Sequence, residues 1–194
     1  MEIPKPQFTC GAENAEQFAK EKKAYIDSIW EEYLHVETPF VPFNKEKNIQ
    51  GLKALQKYGT NEDLKRLHDE YPLCEDNDIF LEYVKLINKL GKDYDDFYNI
   101  RILVSETDRC KYNDAIMEEA IKGVKKYLVD EAPKGHWTNE SFLGYKEFEY
   151  YAQRAKEQGK PEMEANARAI MARIVEDNPW MQGKIDRLRN ENKS

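Results

Sequence analysis

Residues 77–91 read NDIFLEYVKLINKLG and indicate the fold class more clearly than any other stretch of the chain. Apolar side chains recur there three or four residues apart, namely Ile79, Phe80, Tyr83, Val84, Ile87 and Leu90. This period places them in one stripe along one face of an α-helix. Gly91 ends the pattern, as glycine commonly does after the last helical turn. We therefore predict an amphipathic helix with Ile87 at the centre of its buried face.

Similar patterns continue in both directions from this helix. Further helix starts are predicted near residues 14, 44, 61, 94, 113, 139 and 161, and a short amphipathic segment follows Asn178-Pro179. The prediction is an all-α fold of about eight or nine short-to-medium amphipathic helices. They form either an irregular bundle or a short superhelical, solenoid-like stack, because several starts recur at similar spacing. Residues 94–109 are predicted to be helical, with a strand as the alternative because the apolar run at 100–104 suits both.

Three segments follow from these patterns: an extended N-terminal arm at 1–12, a helical domain at 13–177 and a C-terminal helical extension at 178–194. Prolines interrupt the arm and also residues 38–43, TPFVPF. Each proline restricts its own backbone dihedral angles and those of the residue before it. A chain of 194 residues can bury a core without disulfides or a metal. A division into two small helical lobes stays open.

The composition excludes several classes of protein. Charged residues make up 35% and hydrophobic residues 40% of the chain, which is typical of a folded, soluble helical protein rather than a disordered one. A net charge of -7 argues against a duplex nucleic-acid binder, which normally carries a basic face. The sequence shows no secretory signal, no membrane-spanning run, and no disulfide or zinc pattern among its three cysteines. We expect a reducing, cytoplasm-like intracellular compartment or the interior of an organelle.

Residues that carry chemistry are scarce in this chain. Only one of the three histidines, His35, follows a glutamate, Glu32, at the spacing that di-iron bundles use, and no second copy of the motif exists. The loop at 134–141 is the best candidate for an active site because it places His136 beside a helix start, but no nucleophile with a base can be identified there. We expect no catalytic residues, no cofactor and no metal, and an enzyme is the least favoured class.

Aromatic residues make up 12% of the chain, and several lie where a single core cannot cover them. The helix predicted from Asn139 is apolar around its whole circumference, so it is either central in the domain or partly covered by a partner. We predict that its Leu143/Tyr150 side contacts a partner. The predicted partner-binding residues on the arm, the 38–43 loop and this region are Ile3, Phe8, Phe40, Val41, Phe43, Trp137, Leu143 and Tyr150.

These observations predict a non-enzymatic structural or adaptor subunit of a larger multi-protein assembly. It would bind protein partners by docking its helix faces and its N-terminal arm. The alternative is a soluble regulator or inhibitor that binds a single protein target. Neither prediction requires nucleic acid or a membrane-spanning segment, and both are compatible with peripheral association with a membrane.

One stretch resembles a known family. Asp96-Phe97 and the residues 100–103, Ile-Arg-Ile-Leu, followed by another predicted helix, are similar to the helical-repeat subunit of cytochrome c oxidase known as 5A. The resemblance is carried mainly by those four residues, and the rest of the chain does not follow that family's pattern. It implies a second alternative, an accessory helical subunit of a mitochondrial respiratory complex.

Overall fold

The computed structural model describes residues 5–6, 8, 14–34, 44–70, 76–93, 113–135 and 142–191. These residues form eight α-helices and one π-helical segment, and no strand occurs among them. The predicted all-α class is confirmed. The chain groups into two compact units, residues 1–92 and residues 93–194. The segment boundaries predicted after residues 12 and 177 stay predictions.

The first unit contains four helices, α1 (Ala15–Glu32), α2 (Lys45–Tyr58), α3 (Asn61–Glu70) and α4 (Asn77–Leu90). Helix α2 packs against both α1 and α4, and α3 packs against α4. Asparagine side chains cap two of the helices: Asn14 accepts a hydrogen bond from the Gln17 amide, and Asn44 accepts one from the Lys47 amide. Such caps satisfy amides that have no partner within the helix, and they fix where α1 and α2 begin.

Helix α4 supplies much of the core of the first unit. Its Val84, Leu86 and Ile87 are fully buried, and Ile79 and Phe80 are at most 2% exposed. The burial of Ile87 confirms the prediction made from the apolar period. The start of α4 is capped by Asp76, whose carboxylate accepts hydrogen bonds from the amides of the second and third helical residues.

The second unit contains α5 (Asp114–Val124), a π-helical segment (Lys125–Glu131), α6 (Phe142–Glu157), α7 (Pro161–Asp177) and α8 (Trp180–Glu191). Helices α6 and α7 form a tight hairpin across three residues. Gly159 adopts a φ of 66° there, and its amide donates to the Lys156 carbonyl while the Lys160 amide donates to Ala155. Glycine suits this left-handed position because it has no Cβ, and Pro161 then begins α7 without needing an amide partner.

The face of α6 that packs inside the second unit carries Tyr145, Phe148, Tyr151, Ala152 and Ala155, each at most 4% exposed. Tyr150 lies on the opposite face and is 44% exposed. The Tyr145/Phe148/Ala152 side of this helix is therefore covered by its own unit, and the Tyr150 side is open to solvent.

Helix α5 continues directly into the π-helical segment, whose hydrogen bonds span five residues instead of four. The Ala132 amide donates to the Tyr127 carbonyl at 2.7 Å. The same spacing appears in two ion pairs, Lys125–Asp130 at 2.7 Å and Lys126–Glu131 at 4.0 Å. In an α-helix the neighbours on one face are three or four residues apart. These ion pairs therefore belong to the wider turn of the π-helix.

A buried ion pair fastens the turn after the π-helical segment to α7. Arg173 Nε donates to Asp177 Oδ2 at 2.9 Å, and the two side chains are 8% and 1% exposed. The Arg173 guanidinium also donates to the carbonyl oxygens of Ala132, at 3.2 Å, and Pro133. Asp177 Oδ1 accepts from the amide of Gly135, which has a φ of 84°. The pair thus satisfies backbone groups at the end of the π-helix that lack helical partners.

A close approach of α2 to the end of α1 requires glycine at position 51. A Cβ there would lie 2.8 Å from Leu34 Cγ and Cδ2. Alanine favours a helix by up to about 1 kcal/mol over glycine, but the overlap with buried Leu34 costs about 1–3 kcal/mol. We expect Gly51→Ala to lower the free energy of unfolding by about 1 kcal/mol in urea denaturation.

Gly183 on α8 is the matched control, because a Cβ there meets no atom within 4 Å. Gly183→Ala is expected to raise the free energy of unfolding by roughly 0.5–1 kcal/mol, through helix propensity alone. Stabilisation by both substitutions would show that Leu34 moves aside without cost and that the close approach does not require glycine.

Candidate interaction surface

Two large apolar side chains stand out among the described residues because they are exposed. Tyr150 on α6 is 44% exposed, and Trp180 at the start of α8 is 59% exposed. Trp30, by contrast, is 8% exposed in the first unit. Both exposed aromatics belong to the second unit, so this unit carries the candidate interaction surface.

Tyr150 lies beside a network of polar side chains that joins α6 to the start of α5. Arg154 Nη1 donates to the Tyr150 hydroxyl at 3.2 Å, and Arg154 Nη2 contacts Asp114 Oδ1 at 2.8 Å. Gln158 donates to Asp114 Oδ2 at 2.8 Å. The hydrogen bond from Gln158 and the charge of Arg154 hold the pKa of the Asp114 carboxyl below its usual value. Tyr150 is thus oriented by a fixed arginine while its ring faces solvent.

Trp180 shares one side of α8 with two exposed cations, Lys184 and Arg187. The three residues are spaced at i, i+4 and i+7, so they fall within a sector of roughly 60° around the helix axis. Met181 and Ile185, at most 4% exposed, lie on the side that packs into the unit. We call the sector of Trp180, Lys184 and Arg187 the Trp180 face.

A groove of about 500 Å³ lies between α6, α7 and α8 on a different side of α8. Its floor includes the buried side chains of Tyr145, Met171 and Ile185. At its rim, Arg168 and Gln182 are already hydrogen bonded to carboxylates one turn away in their own helices. The groove can therefore accept an apolar side chain, while its rim offers few free charges.

A second groove of about 500 Å³ lies in the first unit, between α1, the end of α2 and α3. Its charged lining is balanced, with Lys22, Lys23, Asp27, Glu62, Asp63 and Arg66. Several of these groups hold the unit together: Asp63 accepts from the Trp30 indole at 3.3 Å, and Arg66 lies over the Trp30 ring at 4.2 Å. Positive and negative side chains are thus equal in number around this groove, so its charge does not select a ligand of either sign.

Phe8 of the arm packs within the first unit. Its ring centroid lies 4.9 Å from that of Phe18 and 5.9 Å from that of Tyr58, and Tyr25 joins the same cluster. Burial, together with the neighbouring tyrosines Tyr58 and Tyr33, raises the pKa of Tyr25 to about 12. The contacts of Phe8 therefore contribute to the fold of this unit, and a role in partner binding stays a prediction.

The arm is expected to have a small effect on stability. Phe8→Ala removes aromatic contacts worth about 1 kcal/mol at a half-buried position. For a chain of this length such a loss corresponds to a fall of about 2–4 °C in the melting temperature, and deletion of residues 1–12 is expected to give a similar fall. Thermal unfolding followed by circular dichroism measures both. Loss of the helical signal on deletion would show that the arm is part of the core.

The other predicted partner-binding residues are described only in part. Ile3, Phe40, Val41, Phe43 and Trp137 lie outside the described residues, and for Leu143 only the backbone in α6 is described. Among the predicted residues, the structure shows Tyr150 exposed and Phe8 within its own unit. Trp180, which the structure shows exposed, was not among the predicted residues, although it directly follows Pro179 at the start of an amphipathic segment.

The candidate chemical sites are likewise only partly described. Glu32 ends α1 on an exposed turn, while His35 and residues 136–141 of the candidate loop lie outside the described part. The apolar pattern that follows Asn14 predicts a helix as far as about His35, and α1 ends three residues earlier, at Glu32. In the ranges that the structure describes, no three His, Cys, Asp or Glu side chains cluster so as to hold a metal ion. His68 Nδ1 is 2.5 Å from the hydroxyl of Tyr83 and packs edge-on against its ring.

Comparisons with known proteins leave the family open. No family model matches the chain, and neither a curated protein nor a solved structure is significantly similar to it. Across the described ranges, every helix is too short or too polar to cross a membrane.

Proposed function

We propose that this protein is a non-enzymatic structural or adaptor subunit of a larger protein assembly. The observation that carries the proposal is the exposure of Trp180 and Tyr150 on the second unit. Tryptophan and tyrosine are the residues most often found at the energetic centre of protein interfaces, because they bury a large area with few rotatable bonds. In the isolated chain the apolar surface of an exposed tryptophan stays in contact with water. Docking removes that surface from water, which favours binding.

The remaining docking elements follow from the sequence. We propose that the arm, the 38–43 loop and Trp137 also dock on protein partners, because they carry apolar residues between prolines or beside a turn. A regulator that binds a single target uses the same kind of surface. The two functions differ in the size of the complex that forms.

Size measurement tests the proposal. The tagged full-length chain is followed by native gel filtration, first purified and then in an extract of the cells that express it naturally. We expect the purified chain to elute as a small species and the chain in the extract to elute with a large complex. Elution at its own mass in the extract would contradict the proposal, and a complex with one partner of similar size would replace it by the regulator function.

Point substitutions test whether the exposed aromatic side chains take part in the assembly. Trp180→Asp and Tyr150→Asp are each expected to weaken association by about 2 kcal/mol or more, on the scale of an interface hot spot. Aspartate at position 180 suits the first turn of α8, so the variant is expected to fold. Gln182→Asp, on the opposite side of α8, is the matched control and is expected to leave assembly unchanged.

A further inference from the structure

We infer that the first unit carries a docking surface for a segment of the partner protein, formed by a cluster of aromatic rings and the groove beside it. Phe8 of the arm occupies the aromatic part of this surface in the isolated chain. The partner segment replaces Phe8 with an aromatic ring of its own and places charged side chains of both signs in the groove. The inference rests on the proposed function and specifies the chemistry of one partner segment.

The aromatic part consists of three rings from two helices, Phe18 and Tyr25 of α1 and Tyr58 at the end of α2, and we call it the aromatic site. The Tyr25 and Tyr58 rings pack edge-on with their centroids 5.3 Å apart. The Phe8 ring packs against all three at centroid distances of 4.9 to 6.3 Å, which aromatic pairs prefer. The structure thus shows that this site accepts an aromatic side chain.

Phe8 is a weakly held occupant of the aromatic site. All four rings are half-buried, so one side of the cluster stays open to solvent. Pro6, two residues before Phe8, has no amide to donate a backbone hydrogen bond. A ligand that fills the aromatic site and gains further contacts beside it therefore displaces Phe8, because its differential affinity shifts the population toward the state that Phe8 has left.

The groove of about 500 Å³ in the first unit provides those further contacts. Tyr58 belongs both to the aromatic site and to the lining of the groove, which continues over Ala19 and Ile26 on the neighbouring side of α1. Its volume lies within the range of ligand-binding sites in proteins, about 300–1,000 Å³. Among the described residues, Phe8 contacts the aromatic site and is not part of the groove lining. The arm therefore fills one end of a longer concave surface.

The charges of the groove suit a segment that carries both signs. Four of the six charged side chains in its lining have partners within the unit, namely Lys23, Asp27, Asp63 and Arg66. The other two are Lys22 on α1 and Glu62 near the start of α3, and in the part of the chain that the structure describes neither forms a direct ion pair or hydrogen bond. A carboxylate that contacts Lys22 and a basic group that contacts Glu62 therefore complement the groove.

Other occupants match this surface less well. Nucleic acid and anionic membranes meet three carboxylates in the lining of the groove, which repel a polyanion. The arm of a second copy offers the same phenylalanine as the chain's own arm, which the high local concentration of a tethered segment favours. A partner segment that also contacts the groove has the advantage over both.

Photo-crosslinking from position 8 tests the displacement of Phe8 in the full chain. Phe8→p-benzoylphenylalanine keeps an aromatic ring, and on irradiation its ketone inserts into neighbouring C–H bonds without an added reagent. The purified variant and the assembled fraction of an extract are irradiated, and the crosslinked peptides are quantified by mass spectrometry. We expect crosslinks to α1 and the end of α2 in the purified variant, and about tenfold fewer in the assembled fraction. Equal yields in the two fractions would overturn the inference.

Crosslinking from the groove identifies the partner segment. Lys23 lines the groove and is exposed, whereas Ala24 is exposed on another side of α1 and provides the matched control. From Lys23→p-benzoylphenylalanine we expect crosslinks to a protein segment that contains an aromatic residue together with acidic and basic residues, and from Ala24→p-benzoylphenylalanine none. Crosslinks to lipid, to nucleic acid, to a second copy of the chain or to a segment without an aromatic residue would overturn the inference.

Charge reversal at Lys22 provides the third arm. Lys22→Glu is expected to lower the fraction of the chain in the assembly about tenfold at about 0.1 M salt, because the new carboxylate repels that of the partner segment. Lys20→Glu makes the same change of charge at an exposed residue outside the groove lining and is expected to leave the fraction unchanged. An unchanged fraction for Lys22→Glu would overturn the inference while leaving the proposed function in place. Absence of an assembly for the unmodified chain would overturn both.

Discussion

Replacing Arg173 with methionine is expected to lower the free energy of unfolding by about 3–5 kcal/mol, because it leaves a buried carboxylate without its cation. The Asp177 side chain is 1% exposed, so water cannot take the place of the guanidinium. Methionine fills much of the same volume but donates no hydrogen bond, and the carbonyl oxygens of Ala132 and Pro133 lose their donor. Urea unfolding followed by circular dichroism measures the loss.

The same helix offers a matched control. Arg168 and Glu164 form an ion pair with the same spacing of four residues at 2.7 Å, but their side chains are 54% and 24% exposed. Water screens such a pair, so Arg168→Met is expected to change the free energy of unfolding by at most about 0.5 kcal/mol. Equal losses of stability at the two arginines would show that burial does not determine how much the Arg173–Asp177 pair contributes to the free energy of unfolding.

The second large effect is expected at Ile87, whose side chain is fully buried in α4. Ile87→Ala removes apolar atoms from a packed core and leaves a cavity, so we expect a loss of about 2–5 kcal/mol in the free energy of unfolding. Denaturant unfolding of the full chain provides the measurement.

Lys89→Ala, two residues further along the same helix, is the control for Ile87. Lys89 is exposed, and its replacement is expected to change stability by less than about 0.5 kcal/mol. A change below about 0.5 kcal/mol at Ile87 itself would mean that the core of the first unit tolerates the cavity by collapsing into it.

Local interactions made much of the fold predictable from the sequence. The caps at Asn14, Asn44 and Asn113 bind amides two or three residues away, so short patterns were enough to identify the starts of α1, α2 and α5. Ile87 was predictable because burial follows the helical period of its neighbours. The end of α1 was less predictable, because Tyr33 and Leu34 continue the apolar pattern beyond Glu32, where the helix ends.

Features that depend on distant contacts were not predictable. In the sequence, Arg173 is one more charged residue in a helix, and its backbone partners Ala132 and Pro133 are 41 and 40 residues away. The exposure of Trp180 depends on which side of α8 packs into its unit. The sequence showed apolar residues on both sides of α6 without showing which side its own unit covers, and the choice of the Tyr150 side as an interface stays a prediction.

The π-helical segment sets how many residues can lie between α5 and the turn that binds Arg173. It restricts the amino-acid types of those residues much less. Removing one residue would restore α-helical hydrogen bonding and rotate every following position by roughly 100° about the axis. The carbonyl oxygens of Ala132 and Pro133 would then point away from the guanidinium. Exchange of exposed side chains such as Lys126 or Asp130 leaves this register intact. Natural variation across residues 125–131 is therefore expected to consist of substitutions rather than insertions or deletions.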